Sequence, residues 1–306
     1  SRIKPHAYII TRHDIWPSHL FFARKLGIKI FYINANLHRN SIWIKNYFYW
    51  ISKSIFKNLQ FCLVPSENIK NFFLKILHKD KIHVIGDSRF DQIIERKQKN
   101  QNQTILPNYF NNSFNIIFGS YDQNDESVII KSLTAYYPKG ATSLKEYNHT
   151  IILVPHEIDN RMYQMFNKLK NANFNPFFLS TLNFKDKPLS NVIIVDKVGI
   201  LADLYKYTQL AYIGSGFSDG VHSVIEPGVY GNVVSFGPNI ELLDEAKYIY
   251  KNNLGHMIKS HQDMINFFDL HKDTALMKNY SQGIQNYILN QGNVSQKIIQ
   301  LIGNNI

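Results

Sequence analysis

The segment Tyr212–Pro238, YIGSGFSDGVHSVIEPGVYGNVVSFGP, holds the densest set of side chains suited to chemistry. An apolar run ends at Ile213, a Gly/Ser-rich loop follows from Gly214 through Ser215 and Gly216 to Gly220, and a helix is predicted to begin near His222 or Ser223. Glycines let a backbone approach a ligand closely, and the first turn of a helix offers unpaired N–H groups to an anion. Strand, Gly-rich loop and helix in that order therefore suit a phosphate. The loop alone is a weak signal, being neither a GxGxxG fingerprint nor a P-loop, and most Gly/Ser loops are plain turns. Glu226, early in that helix, strengthens the reading because a carboxylate there can accept both hydroxyls of a ribose. The alternative for Glu226 is a surface acid stabilised by the helix dipole. For His222 it is a histidine that caps the helix.

Elements able to position such a loop recur along the chain. Strands are predicted over His6–Thr11, Ile28–Ile33, Phe61–Pro65 and Ile82–Ile85, separated by helices over Pro17–Leu26, Ile42–Phe56 and Ser66–Leu77. From about Glu95 to Ser113 the pattern breaks into Gln, Lys and Asn, which marks a linker. A second series follows, with strands over Ile116–Phe118, Thr150–Val154, Val192–Val195, Leu210–Ile213 and Val233–Phe236 and helices over Glu126–Ala135 and Asn160–Lys170. The stretch from Asp263 to Ile302 reads as helical. Alternating strands and helices with short connections predict parallel sheets covered by helices, hence an α/β fold of two doubly wound, Rossmann-like domains facing across a cleft. The expected division is 1–95 for the first domain, 96–113 for the linker and 114–306 for the second, nucleotide-binding domain with its C-terminal helices.

At 306 residues the chain can bury two cores, and 34 Lys and Arg against 23 Asp and Glu leave a net charge of +11. That excess favours an anionic partner. No RRM, zinc-finger or helix-turn-helix pattern is present, which ranks nucleic acid below a phosphorylated substrate or an anionic membrane. Cys62, the one cysteine, lies in the apolar run Phe61–Val64 and is expected to be a buried small hydrophobe, in keeping with a reducing compartment. No apolar stretch reaches the roughly 20 residues that span a bilayer, and no signal peptide is visible. The chain opens at Ser1, a start that looks like a cut.

The segment GVHSVIEPGVYGNVVSFGP resembles the signature of the Kdo (3-deoxy-D-manno-octulosonic acid) transferases, in which Gly-Gly-His-Asn-x-x-Glu-Pro precedes a strand ending in Phe-Gly-Pro. His222, Glu226, Pro227, Gly231, Phe236, Gly237 and Pro238 fall in register, while Ser223 replaces the Asn and Val221 the second Gly. Further matches follow in family order. Asp14-Ile15-Trp16-Pro17 is similar to Glu-Leu-Trp-Pro, with Arg12 where many members carry a Glu. Asn34-Ala35-Asn36-Leu37 is similar to Asn-Ala-Arg-Leu, and Gly86 through Asp91 to Gly-Asn-x-Lys-Phe-Asp. Gly119-Ser120 with Glu126 is similar to Gly-Ser-Thr-His-x-Gly-Glu, and Val154-Pro155-His156 to Val-Pro-Arg-His without its Arg. The resemblance covers about residues 5–250.

The resemblance implies a GT-B glycosyltransferase that moves Kdo from CMP-Kdo to an anionic lipid A precursor in lipopolysaccharide synthesis. It implies inversion at the anomeric carbon with no metal or cofactor, at the cytoplasmic face of the bacterial inner membrane. By position Glu226 would hold the ribose, and the amides of Gly214 to Gly220 with His222 and Ser223 would face the phosphate. Ser120 and His156 would line the donor cleft, Arg89 would bring positive charge near the domain junction, and Asp14 would touch acceptor or sugar. His156 reads otherwise as a loop histidine, Arg89 as an exposed arginine, and Asp14 as a cap for the helix opening at Pro17. The family carries its catalytic base in an N-terminal portion that finds no counterpart here, so no base is assigned. The segment Ile42–Lys57 interleaves Trp43, Tyr47, Phe48, Tyr49 and Trp50 with Lys45, Lys53 and Lys57, which suits either an anionic membrane surface or a helix packed by its aromatics on the sheet. Two other functions stay open: a GT-B transferase using a UDP- or GDP-sugar, and a non-catalytic, degenerate transferase subunit.

Overall fold

A computed structural model describes residues 5–12, 15–38, 41–100, 104–182 and 191–306. Asp14 lies outside them. The chain forms two compact units, one of residues 1–92 with 291–306 and one of residues 93–290.

In the first unit the strands are β1 (Ala7–Thr11), β2 (Lys29–Ile33), β3 (Phe61–Val64) and β4 (Ile82–Val84). They pair in parallel in the order β1-β2-β3-β4. Between them run helices α1 (Pro17–Lys25), α2 (Tyr49–Phe56) and α3 (Glu67–Phe73). Ser66 caps α3 by accepting from the Ile69 amide. Successive strand residues face opposite ways. Tyr32, Cys62 and Val64 accordingly pack with Phe56 and Phe73 on one face, and Phe31 and Leu63 with Val294, Ile298 and Ile302 on the other. Cys62 is the fully buried hydrophobe expected of it.

The segment 42–57 is less helical than its spacing predicts. Two 3₁₀ turns, Ile42–Ile44 and Asn46–Phe48, precede α2. Trp43 turns inward against Phe56, whereas Tyr47 and Trp50 are 75% and 78% exposed.

Helix α4 (Arg89–Lys99) runs into what reads as the start of the linker, and the division between units falls within it. In the second unit the strands are β5 (Phe114–Tyr121), β6 (His149–Pro155), β7 (Phe177–Phe178), β8 (Val192–Ile194), β9 (Leu210–Ile213), β10 (Val233–Phe236) and β11 (Gly255–Met257). All are parallel, in the order β11-β10-β9-β5-β6-β8-β7. The helices are α5 (Gln123–Tyr136), α6 (Ala141–Tyr147), α7 (Asn160–Asn171), α8 (Leu201–Leu204), α9 (Ile225–Val229), α10 (Asp244–Lys251), α11 (His261–Phe268) and α12 (Thr274–Leu289). Near-continuous apolar strands such as Ile116–Phe118 and Leu210–Ile213 are buried on both faces, as a helix-covered parallel sheet requires.

The expected division needs one correction. The last helix, α13 (Val294–Gly303), belongs to the first unit and not to the 114–306 domain. Its apolar residues Val294, Ile298 and Ile302 recur every fourth position, one stripe of a helix, and that stripe covers Phe31 and Leu63.

Candidate functional site

In a parallel sheet every strand ends on the same edge, and ligands bind there. Four such ends build the site: Ser120 at the end of β5, His156 after β6, Gly214 and Ser215 after β9, and Gly237 after β10. The pairing of β5 with β6 slips between Gly119 and Tyr121, and Ser120 in that bulge has φ +55°. Ser215 is likewise left-handed at φ +65°. Non-glycine residues rarely adopt this conformation and concentrate at functional sites when they do.

The bulge brings Ser120 Oγ within 2.9 Å of His156 Nδ1, and Ser215 Oγ lies 2.9 Å from His222 Nε2. The two imidazoles stack with centroids 4.5 Å apart and planes 19° from parallel. A row of hydroxyl, ring, ring, hydroxyl thus crosses the strand ends. Burial lowers the His222 pKa and the neighbouring His156 lowers it further, while Asp122 opposes them. His222 is therefore held neutral near pH 7, with one donor and one acceptor nitrogen.

The Gly-rich loop is clamped at both ends. A Cβ on Gly214 would lie 2.4 Å from the Ser120 carbonyl oxygen, and one on Gly216 2.5 Å from the Cα of Gly237. The Asn239 amide donates to the Gly216 carbonyl and the Val221 amide to the Asn239 carbonyl. Gly220, at φ +126°, closes the loop by donating to the Ser215 carbonyl. Underneath lies Asp125, which accepts from the Ser215 amide at 2.7 Å, the Tyr212 hydroxyl at 2.6 Å and the Asp122 amide at 2.9 Å. Burial pushes the Asp125 pKa up, against those hydrogen bonds. Nothing in the motif Gly214–Gly220 points to Asp125. Its signal in the sequence is the Asp122–Asp125 spacing, which reads as the capping box it does form at the start of α5.

Two expectations change in detail. The helix after the loop starts at Ile225, not at His222 or Ser223, and is five residues long. The amides of Val221 and His222 are drawn instead to the carbonyls of Asn239 and Gly214. The loop amides are not all free for an anion either. Those of Gly214, Ser215, Ser218 and Gly220 are used internally, whereas those of Gly216, Phe217 and Asp219 have no acceptor among the described residues.

Glu226 stands in α9, half-buried, its pKa raised by burial, lowered by Arg96 and raised again by Asp203. Arg96 and Asp203 form an ion pair at 2.9 Å. Ser223 lies between His222 and α9. Arg89 is in the first unit, where Asp87 holds its guanidinium at 2.7 Å. A cavity of roughly 300 Å³ opens beside the histidines and is lined by His156, Ser215, Gly220 and His222 together with Tyr121, Asp159 and Arg161. Among the described residues no group of three or more His, Cys, Asp or Glu is arranged to hold a metal ion.

Residues 1–92 match the family described as 3-Deoxy-D-manno-octulosonic-acid transferase (kdotransferase). A 3-deoxy-D-manno-octulosonic acid transferase from Rickettsia prowazekii is 25% identical over 98% of the chain. The chain is similar to the Kdo transferases along nearly all of its length. It spans 64% of the length of that Rickettsia Kdo transferase. The C-terminal CMP-Kdo binding domain of WaaA from Acinetobacter baumannii superposes with a TM-score of 0.50 at 17% identity, covering 65% of this chain and 97% of that one. UDP-GlcNAc 2-epimerase from Neisseria meningitidis gives 0.64 at 16% identity, covering 98% and 76%. These likenesses agree with two Rossmann-like units of the GT-B class, the fold expected of a Kdo-transferase relative.

Proposed function

We propose that this chain serves in the transfer of Kdo from CMP-Kdo to a lipid A precursor, with the second unit binding the donor. The observation that carries the reading is the row Ser120, His156, His222 and Ser215 at the strand ends, built from the same segments that resemble the Kdo transferase signature. Hydroxyl donors and the neutral His222 imidazole, with the free amides of Gly216 and Phe217, suit a phosphate that gains charge as the glycosyl bond breaks. Glu226 accepts the ribose hydroxyls. The leaving phosphate is stabilised by hydrogen bonds alone, in an inverting displacement without a metal.

Calorimetric titration with CMP, UMP and GMP tests this. CMP is expected to bind about tenfold or more tighter than the other two, and Glu226→Ala to weaken it by about 10- to 100-fold, the range for hydrogen bonds to a charged group. Because burial raises the Glu226 pKa, binding weakens on acidification at a pH above the ordinary carboxylate range, as the acceptor is protonated. Preference for UMP or GMP would move the reading to a UDP- or GDP-sugar transferase. Absence of any nucleotide binding would make the chain a non-catalytic subunit.

The acceptor side of the proposal is a membrane surface. Tyr47 and Trp50 are exposed close in sequence to Lys45, Lys53 and Lys57, and Trp16, Phe21 and Phe22 are also exposed. Basic residues beside exposed aromatics bind anionic bilayers by roughly 1 kcal/mol per cation. Co-sedimentation with vesicles containing an anionic lipid is expected to fall severalfold when Lys45, Lys53 and Lys57 are all changed to Ala. Unchanged sedimentation would remove the membrane from the proposal.

A further inference from the structure

The row at the strand ends holds two imidazoles in an arrangement that hydrogen bonding to a phosphate does not by itself require. His156 and His222 stack with centroids 4.5 Å apart. Each ring is tied at one nitrogen to a serine, with Ser120 Oγ 2.9 Å from His156 Nδ1 and Ser215 Oγ 2.9 Å from His222 Nε2. Both serines have left-handed backbones, at φ +55° and +65°, so the stack is set by rarely adopted conformations at the ends of two strands. A hydroxyl donates to a bare ring nitrogen and accepts from a protonated one, so these partners serve an imidazole in either charge state. A cation over a neutral aromatic face is attracted to it, whereas two charges at that spacing repel. The stack thus suits one added proton and opposes a second.

A second observation is the charge around the pair. Among the described residues Arg161 is the one Lys or Arg in the wall of the adjoining cavity, and Asp159 holds it at 2.8 Å and Glu157 at 3.0 Å. The start of α5 brings Asp122, the buried Asp125 and Glu126, which Lys168 pairs at 2.7 Å, and the loop brings Asp219. Tyr121 stands in the same wall, and β10 runs into Phe236, Gly237 and Pro238, which do not titrate. A phosphate at this row therefore meets no unpaired Lys or Arg in that wall. The groups there that can gain positive charge are the two imidazoles. Burial and the neighbouring ring lower the His222 pKa, with Asp122 opposing them, so added protonation calls for a new negative charge.

We infer that the stacked pair of His156 and His222 takes up one proton, and only one, when a phosphate monoester binds at the strand ends, and that this proton supplies the counter-charge. The inference rests on the proposed donor function and deepens it. The phosphate of a sugar nucleotide is a diester with a single negative charge. As the glycosyl C–O bond breaks, its electron pair goes to the phosphate oxygen, and the nucleotide is left as a monoester with two. The acceptor hydroxyl gives up a proton as it forms the new bond, so the proton gained by the pair is balanced within the reaction. It returns to solvent when the nucleotide leaves. The neutral hydrogen bond to the phosphate thereby becomes a charge-assisted one, shorter and stronger, at the step where the charge appears.

Calorimetric titration with CMP in buffers of different ionisation enthalpy counts the protons taken up. At about pH 7.5 the CMP phosphate, with its second pKa near 6, is already doubly charged, and the wild type is expected to take up about one proton per CMP bound. The methyl phosphodiester of cytidine, with one charge, is expected to bring markedly fewer. Because the proton of the bound pair is lost as pH rises, CMP affinity is expected to fall up to about tenfold between pH 7 and 8. The double variant His156→Gln, His222→Gln is expected to lose both the uptake and that pH dependence, which a merely structural role would not move. Imidazole nitrogen NMR of the wild type with CMP, expected to show one charged ring shared by the pair, gives the same answer if the double variant does not bind. CMP binding without uptake, uptake of two protons, or uptake that persists in the double variant would each overturn the inference and leave the nucleotide site standing. If no nucleotide binds, the donor reading falls by itself, and the same NMR titration with inorganic phosphate decides: protonation of the pair upholds its role, and unmoved rings refute it.

Discussion

Asp125→Ala is expected to destabilise the second unit by about 3–5 kcal/mol, a drop in its unfolding midpoint on the order of 10 °C. The carboxylate is fully buried and accepts from the Tyr212 hydroxyl, the Ser215 amide and the Asp122 amide. Alanine removes the acceptor and leaves the donors where water does not reach them, which costs more than the hydrogen bonds themselves contribute. It also frees Ser215 from its left-handed conformation, so the hydroxyl that meets His222 loses its place and nucleotide binding falls with stability. Asp125→Asn keeps one acceptor oxygen and is expected to lose roughly half as much. Tyr212→Phe removes one of the stranded donors in advance, so the double variant with Asp125→Ala is expected to be less unstable than the two single losses summed. Thermal unfolding of the wild type and the four variants, followed by a signal from the second unit, checks this. A midpoint for Asp125→Ala close to that of the wild type would mean that the loop is held by something else.

Asp125 also shows where the sequence stops being legible. Its spacing from Asp122 announces a helix start, and that is true, but the same carboxylate reaches a hydroxyl and an amide some 90 positions along the chain. No local pattern encodes that second role. The strands were readable because a helix-covered parallel sheet demands continuous apolar runs, and Leu210–Ile213 and Val233–Phe236 lie where those runs lie. Phe177–Phe178 and Gly255–Met257 were not, because edge strands this short carry no period. Helix α9 was read too early since propensity cannot show that Asn239 and Gly214 hold Val221 and His222 in the loop. For α13 the helical character of the stretch to Ile302 was visible, and the partner of its stripe Val294, Ile298 and Ile302 was not: only the fold says against what a helix face is buried. In the site itself, Ser215, Gly220, His156 and His222 line one cavity together with Tyr121, Asp159 and Arg161, which belong to no motif, whereas Ser120, Glu226 and Arg89 are not among the residues of its wall.

Gly216→Ala is expected to weaken nucleotide binding by about 100-fold or more with the sheet left intact. A Cβ at Gly216 would lie 2.5 Å from both the Cα and the amide nitrogen of Gly237 and 2.9 Å from its carbonyl carbon. All three are backbone atoms, so no rotamer relieves the contact, and the loop after β9 must move away from the end of β10. The movement breaks the bond from the Asn239 amide to the Gly216 carbonyl and displaces the free amides of Gly216 and Phe217. A misplacement near 1 Å is enough to cost two orders of magnitude where donors must meet a phosphate in fixed geometry. The stability loss should be smaller, about 1–3 kcal/mol for an overpacked contact that can shift toward solvent. Gly220→Ala separates strain from crowding. Its Cβ would meet nothing nearer than 3.7 Å, but its φ of +126° is one that alanine avoids. That variant should lose stability comparably while keeping far more of its affinity, because the clamp between Gly216 and Gly237 survives. CMP titrations of the two variants therefore decide what the close approach is for. A large loss confined to Gly216→Ala makes the β9–β10 contact the device that aims the loop, and equal affinity in both variants would make it packing alone.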